Sequence, residues 1–371
     1  MAWIDKKILF YISGHGFGHA CRVIEVIKAL HKLEPTIYPI IKTSAPLWLF
    51  QMNLKTSYQY FCQDNDIGVV QPNGLHLDKR ATLAKWKTFL DQKEGLVSEE
   101  ISLIKRENIS LVAGDIPPLA FAIAYQAGIP GLALGNFSWD WILKPYVQEY
   151  PVYQSILPDL ETAYSKAHTL LRLPFHGDMS CFKRIVDIPL IARRSLSYPR
   201  KIKQRLGILS DNDPKVVLVS FGGLGFTEID FHPLKRLDRY IFIVTGPGIQ
   251  SQENVITLPP ELLRTEDILY EDLVNAADLV VTKPGYGIVS ECIANHTPLL
   301  YTSRGDFAEY QVLVQQMGKF IPSLFIPQED LKSGNWKPYL EQLLQTTTPA
   351  EIIKIDGATK AAQYIIELSK K

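Results

Sequence analysis

The sequence predicts an α/β protein built from two successive parallel-sheet domains. Three observations lead there. Short apolar, β-rich runs alternate with segments of helical period along the whole chain, which is the pattern of βα units. The series restarts once, near residue 214, after a stretch that has lost its periodicity. Each series opens with a strand ending in a glycine-rich turn, SGHGFGH at 13–19 and SFGGLGF at 220–226. A chain of 371 residues matches two domains of roughly 150 residues with a terminal extension.

In the first series Ile8 to Ser13 reads as a strand, and His19 to Lys32 as a helix that gathers Val23, Ile24, Ile27 and Leu30 on one face. Further strands are expected at Thr36–Ile41, Ser57–Cys62, Ile109–Ala113, Pro130–Leu134 and His168–Leu173. From about Phe175 to Pro214 the chain is rich in Arg, Pro and Ser, as in PLIARRSLSYPRK, which suits a connection between domains. The second series places strands at Val216–Phe221, Ile241–Thr245, Val255–Leu258, Leu279–Thr282 and Leu299–Thr302, with helices including Gly287–Asn295 and Ala308–Met317. Helical period returns from Glu351 to Leu368. Two Rossmann-like halves facing across a cleft are the expected architecture.

Composition removes several function classes. Lys plus Arg and Asp plus Glu are both 39, so the net charge is zero and no polyanion-binding surface is imposed; a general nucleic-acid role is disfavoured. With 46% hydrophobic and 21% charged residues the chain lies far from the disordered corner. Cys21, Cys62, Cys181 and Cys292 form no CxxC pair, which argues against a zinc cluster or a redox dithiol. The apolar run after MAWIDKK is too short for a signal h-region, so a cytoplasmic location is expected. The uncharged stretch between Asp115 and Asp140 is broken by Pro and Gly and reads as buried core.

Open α/β sheets bind ligands beyond the carboxyl ends of their strands, which directs attention to the loops after Ile12, Val219 and Val281. In VVTKPGYGIVSE, at 280–291, a strand runs into Lys283, Gly285 and Gly287, and a helix follows. Glycines let backbone amides approach a ligand, and a helix N-terminus favours an anion, so a diphosphate fits. Glu291, expected in the first turn of that helix, has the chemistry to accept hydrogen bonds from two ribose hydroxyls. An acid placed for the helix dipole, beside plain turn glycines, is the competing reading.

Gly14, Gly16 and Gly18 are spaced GxGxG rather than GxGxxG, and no acidic residue ends the second strand, which weakens a nicotinamide-dehydrogenase reading. The same loop carries His15 and His19. A helix N-terminus disfavours positive charge, so His19 is expected there as a neutral imidazole able to accept a proton, with Asp115 as its orienting partner. Alternatively, Asp115 caps a helix beginning at Pro117. His15 and His19 have the i, i+4 spacing of metal ligands, but the intervening glycines argue against a helix there. The triplets Asp64-Asn65-Asp66 and Asp211-Asn212-Asp213 read as solvated turns rather than metal-diphosphate sites.

Together, SGHGFGHACRVIEVI, GNFSWDWI at 135–142, SFGG at 220–223 and KPGYGIVSECIANHTPLLYTSRGDFAEYQ resemble MurG-like GT-B glycosyltransferases. The resemblance extends to the glycosyltransferase-like N-terminal region of plant arabinokinases and related stand-alone bacterial proteins. It implies an acceptor domain at 1–198, a nucleotide-sugar donor domain at 199–345, and a terminal helical segment at 346–371 packing back on the first domain. Lys283, Gly285, Gly287, Ser290 and Glu291 would then form the diphosphate and ribose site. Glu309 and Gln311 would contact the donor sugar, Gly222 and Gly223 would face the diphosphate, and Gly16 and Gly18 would belong to the acceptor-side loop carrying the base, His19. Relatives usually show an Asp-Gln or Gln-Gln pair where this chain has Glu309-Tyr310-Gln311, and the arabinokinase resemblance covers the glycosyltransferase-like region alone, so kinase activity is not expected to transfer with it.

The expectation is a metal-independent transferase that uses a nucleoside diphosphate sugar, an acceptor hydroxyl and no cofactor. A nucleotide-sugar epimerase or hydrolase on the same fold is the enzymatic alternative, and a non-catalytic nucleotide-sugar-binding regulatory module the other. Leu47, Trp48, Leu49 and Phe50 form a candidate for peripheral membrane contact, with core burial the favoured reading.

Overall fold

The computed structural model describes residues 6–71, 77–209, 213–222, 228–245, 251, 253–258, 263 and 265–370. The chain forms two compact units. The first takes the chain up to Gln71, Leu77–Ile191 and Lys354–Lys371; the second contains Ala192–Ile353.

The sheet of the first unit consists of β1 (Lys6–Ile12), β2 (Ile37–Thr43), β3 (Gln59–Cys62), β4 (Ile109–Asp115), β5 (Gly131–Gly135), β6 (Thr169–Arg172) and β7 (Ile185–Asp187). Their order is β3-β2-β1-β4-β5-β6-β7, and every neighbouring pair is parallel. Ile8 to Ile12 are buried whichever face they take, as expected of a central parallel strand covered by helices on both sides. The helix Phe17–Leu33 buries Val23, Ile24, Ile27 and Leu30, the helical stripe seen in the sequence. Fully burying such a side chain contributes roughly 1.5–3 kcal/mol.

The chain segment at 351–368 is helical only over Gly357–Leu368. The backbone before it is used differently: Leu190 donates to the Lys354 carbonyl, and Ile191 bridges Asp356. The helix then packs on Phe17–Leu33, burying Ala361, Ala362 and Ile365. The aperiodic stretch after Phe175 also differs from expectation, since Ile185–Asp187 adds a seventh strand and residues to Ile191 stay in the first unit. A strand of three residues is too short to show a period.

In the second unit the strands are β8 (Lys215–Ser220), β9 (Tyr240–Thr245), β10 (Val255–Leu258), β11 (Leu279–Thr282), β12 (Leu299–Tyr301) and β13 (Ser323–Phe325). They run β10-β9-β8-β11-β12-β13, again all parallel. Val217, Val219, Phe242, Val281 and Leu300 pack with Trp336 and Leu340 in its core. In both sheets the strand order reverses beside the first strand, between β1 and β4 and between β8 and β11. At such a switch point the loops leaving neighbouring strands run in opposite directions, which is where open α/β sheets hold their ligands.

The Leu47–Phe50 run begins a short helix, Leu47–Asn53, that buries Leu49 and Phe50 and leaves Leu47 exposed. Among the described residues no helix is long and apolar enough to cross a membrane.

Candidate functional site

In the first unit, β1 delivers the chain into Ser13–Gly16 at the switch point. Gly16 precedes the helix with φ +84°, a conformation that a side chain would strain, and the helix begins at Phe17. That start leaves His15 outside the helix and puts Gly18 and His19 in its first turn. His19 is 7% exposed, and its Nδ1 lies 2.8 Å from Oδ1 of Asp115, the last residue of β4. Asp115 does not cap the following helix, which begins at Leu119 with no side-chain cap.

Asp115 is also gripped by Arg22, one helical turn beyond His19. The guanidinium donates from Nε to one carboxylate oxygen and from Nη2 to the other. Its Nη1 donates to Asn136 Oδ1 at 2.8 Å. Burial alone would raise the Asp115 carboxyl, but Arg22 first and His19 second outweigh it and hold its pKa below the usual carboxylate range. His19 Nδ1 faces both this carboxylate and, at 3.1 Å, Nη2 of Arg22. With Nδ1–H directed to the carboxylate, Nε2 is the nitrogen that can accept a proton.

A second carboxylate lies close by. The Asp64-Asn65-Asp66 triplet is not a solvated turn, because Asn65 and Asp66 are buried. Asn65 donates to the Ile12 and Lys42 carbonyls at 3.2 and 2.6 Å, which turns Asp66 inward. Asp66 accepts from Ser13 Oγ at 3.0 Å and from Trp139 Nε1 at 2.8 Å. Burial pushes its pKa up to about 6, against the opposing pull of Trp139, His19 and Ser13.

In the second unit, β11 runs into Lys283, Pro284 and Gly285, and the helix Tyr286–Asn295 begins after Gly285, an N-cap with no side chain to bond the helix amides. Burial, and then the Arg304 charge, lower the Lys283 ammonium to about 8. Arg304 reaches the same loop: Nη1 donates to the Pro284 carbonyl at 3.3 Å and to Glu309 Oε2 at 2.8 Å. Its guanidinium carbon lies 4.2 Å from the centre of the Phe307 ring. Gly222, beyond β8, has φ +77° and open space where a side chain would project. Gly223 lies outside the described residues.

Several expected positions are occupied differently. Glu291 sits in the second helical turn, not the first, because the helix already starts at Tyr286. It is buried and engaged by Arg193, whose Nε donates to Oε1 at 2.6 Å and whose Nη1 reaches Glu271 at 3.3 Å. Ser290 donates to the Gly287 carbonyl of its own helix at 2.8 Å. Glu309 is buried against Arg304 while Gln311 is exposed, since residues two apart on a helix face different ways.

Arg22, Asn136, Ser13, Trp139 and Arg193 were given no individual role from sequence, and Asp66 was read there as part of a solvated turn. One signal was available: Arg22 places a charge three residues after His19 within an otherwise apolar stripe. For the others the partner lies 53 to 114 residues away, and spacing carries no trace of it.

No protein-family model matches the chain. It aligns at 28% identity over 98% of its length with L-arabinokinase of Arabidopsis thaliana, and it spans about a third (34%) of that protein. An uncharacterized glycosyltransferase of Methanopyrus kandleri is 24% identical over 72% of this chain and 78% of its own. Among solved structures, Arabidopsis thaliana UGT89C1 complexed with UDP superposes with a TM-score of 0.62 at 14% identity, covering 99% of this chain and all (100%) of that one. The glycosyltransferase VinC in complex with dTDP gives 0.59 at 12% identity, covering 98% and 95%. Two parallel sheets in the order observed, matched end to end by these structures, give the chain the GT-B glycosyltransferase fold.

Proposed function

We propose that the chain transfers a sugar from a nucleoside diphosphate sugar to an acceptor hydroxyl, without a metal, with His19 as general base. The observation that carries this reading is the His19–Asp115 contact at the carboxyl edge of the first sheet. A buried imidazole held by a permanent carboxylate is poised to take a proton. Such a base is worth roughly 100- to 10,000-fold in rate.

In the reaction, His19 Nε2 takes the proton of the acceptor hydroxyl, whose oxygen bonds to the anomeric carbon. The bond from that carbon to the diphosphate breaks, and its electron pair leaves with the nucleoside diphosphate. Negative charge grows on the departing phosphate, where Lys283, Arg304 and the helix N-terminus that follows Gly285 supply preorganised stabilisation in place of a metal. Gly222 supports this use of the second unit, because its open, left-handed backbone admits a phosphate at close range. Glu291, held by Arg193, is assigned to the ribose. The UDP and dTDP bound by the structural neighbours make pyrimidine nucleoside diphosphates the first ligands to test. The similarity to L-arabinokinase covers only a third of that protein, and phosphorylation forms no part of the proposal.

A thermal-shift panel of nucleoside diphosphates and their sugars tests the donor half. Stabilisation should approach RT ln(1 + [L]/Kd), about 2.7 kcal/mol at 100 times Kd. His19→Ala should leave that stabilisation intact and reduce transfer by at least 100-fold. Unchanged turnover in His19→Ala would remove the base assignment.

A further inference from the structure

The two carboxylates near His19 are neutralised very differently. Asp115 receives a bidentate guanidinium and the His19 ring. Among the described residues, Asp66 has only neutral partners, the Ser13 hydroxyl and the Trp139 indole, one on each oxygen. Ser13 ties the two segments together, its amide donating to the backbone carbonyl of Asp115 at 2.8 Å and its hydroxyl to the Asp66 carboxylate. Two aromatic rings link Asp66 to His19: the centre of the His19 ring lies 5.5 Å from that of Phe137, Phe137 lies 5.2 Å from Trp139, and the Trp139 indole donates to Asp66. Each Asp66 oxygen retains acceptor capacity beyond the bond it already accepts. Burying a carboxylate without a counter-ion is costly, and two neutral donors offset only part of that cost.

Resting on the transferase reading above, we propose that Asp66, fixed by Ser13 and Trp139, is an acceptor-binding residue that accepts a hydrogen bond from a hydroxyl adjacent to the reacting one, so that the acceptor is a vicinal diol such as a sugar or polyol. The chemistry selects a hydroxyl over an ammonium. A cation on Asp66 would oppose the arrival of a proton on His19, whereas a hydroxyl donates to the carboxylate and leaves its charge in place to stabilise the imidazolium. The raised pKa of Asp66 agrees with a carboxylate that lacks a cationic partner in the free protein. His19 and Asp64 are the charged or titratable groups that act on it, with opposite signs.

The test compares cyclohexanol, cis- and trans-1,2-cyclohexanediol, myo-inositol and trans-2-aminocyclohexanol as acceptors, using the donor that gives the largest thermal shift. Release of nucleoside diphosphate is measured for the wild-type chain and for Asp66→Asn, which keeps the side-chain shape. A diol or myo-inositol should exceed cyclohexanol by about 10- to 100-fold in kcat/KM, the worth of one charge-assisted hydrogen bond. In Asp66→Asn that advantage should collapse to within about threefold, while the nucleotide thermal shift is unchanged. An undiminished diol preference in Asp66→Asn, or a preference for the amino alcohol in the wild type, overturns the proposal.

A binding arm separates this inference from the transferase reading. Trp139 donates to Asp66, so its fluorescence should respond when myo-inositol, but not cyclohexanol, is titrated into His19→Ala loaded with nucleoside diphosphate. Absence of turnover with every acceptor would defeat the transferase reading alone. Equal responses to the two alcohols, or a myo-inositol response that survives Asp66→Asn, would defeat the subsite.

Discussion

Replacing Asp66 by Asn should change how stability depends on pH. In the folded protein burial raises this carboxyl from its ordinary 3.8 to about 6. The sign follows from linkage. The folded state binds the proton more tightly than the unfolded chain, so the stabilising effect of protonation is complete below the unfolded value of 3.8 and is lost as pH rises through about 6. The interval of about 2.2 pH units, at 1.36 kcal/mol for each, amounts to about 3 kcal/mol. Asn is neutral throughout. The stability of the wild type relative to Asp66→Asn should therefore fall by about 2 kcal/mol of that total between pH 4 and pH 7 and level off above about pH 7. Urea denaturation of both proteins at intervals across that range, followed by Trp fluorescence, measures the difference directly. A difference that stays constant with pH would show that the buried carboxylate is not desolvated as the structure requires.

Arg22→Ala leaves Asp115 and Asn136 buried without their main donor, and the loss should be about 3–5 kcal/mol, read by chemical denaturation. Arg22→Lys should not restore stability, since an ammonium cannot bond both carboxylate oxygens in the planar fork. Lys283 has its pKa lowered to about 8, so nucleoside diphosphate affinity should decline as pH rises through 8; calorimetric titration of Lys283→Met should show weaker binding without that decline. Gly357→Ala would place a Cβ 2.1 Å from the Pro189 carbonyl oxygen, a backbone atom that cannot rotate away. Such overpacking costs about 1–3 kcal/mol, and hydrogen exchange should rise in the helix Gly357–Leu368 before it rises elsewhere.

Much of the fold was legible because its causes are local. Val216–Phe221 and Leu279–Thr282 are continuous apolar runs because central parallel strands are buried on both faces. The turns after Ile12 and Val281 need glycines because a strand must reverse into a helix within a few residues. Two of the edge strands were not seen. Ser323–Phe325 and Ile185–Asp187 are three residues each, and no period can be read from so few. The terminal helix was placed several residues early, because the sequence from Glu351 has helical spacing that says nothing of the backbone pairing between Leu190 and Lys354.

The candidate site divides in the same way. His19, Asp115, Lys283 and the loop glycines were accessible to sequence reasoning because each follows a recognisable strand, and ligands collect where parallel strands end. Their electrostatic state was decided elsewhere. Arg22 makes Asp115 a permanent anion, Asn65 turns Asp66 out of a presumed solvent turn and into the interior, Arg193 engages Glu291, and Arg304 claims Glu309. By itself, the sequence determined which strands form and where their loops open, since hydrophobic period and turn chemistry act over a few residues. Only the tertiary structure decided which charges meet, because each pairing is made by packing between segments whose separation along the chain leaves no mark on local spacing.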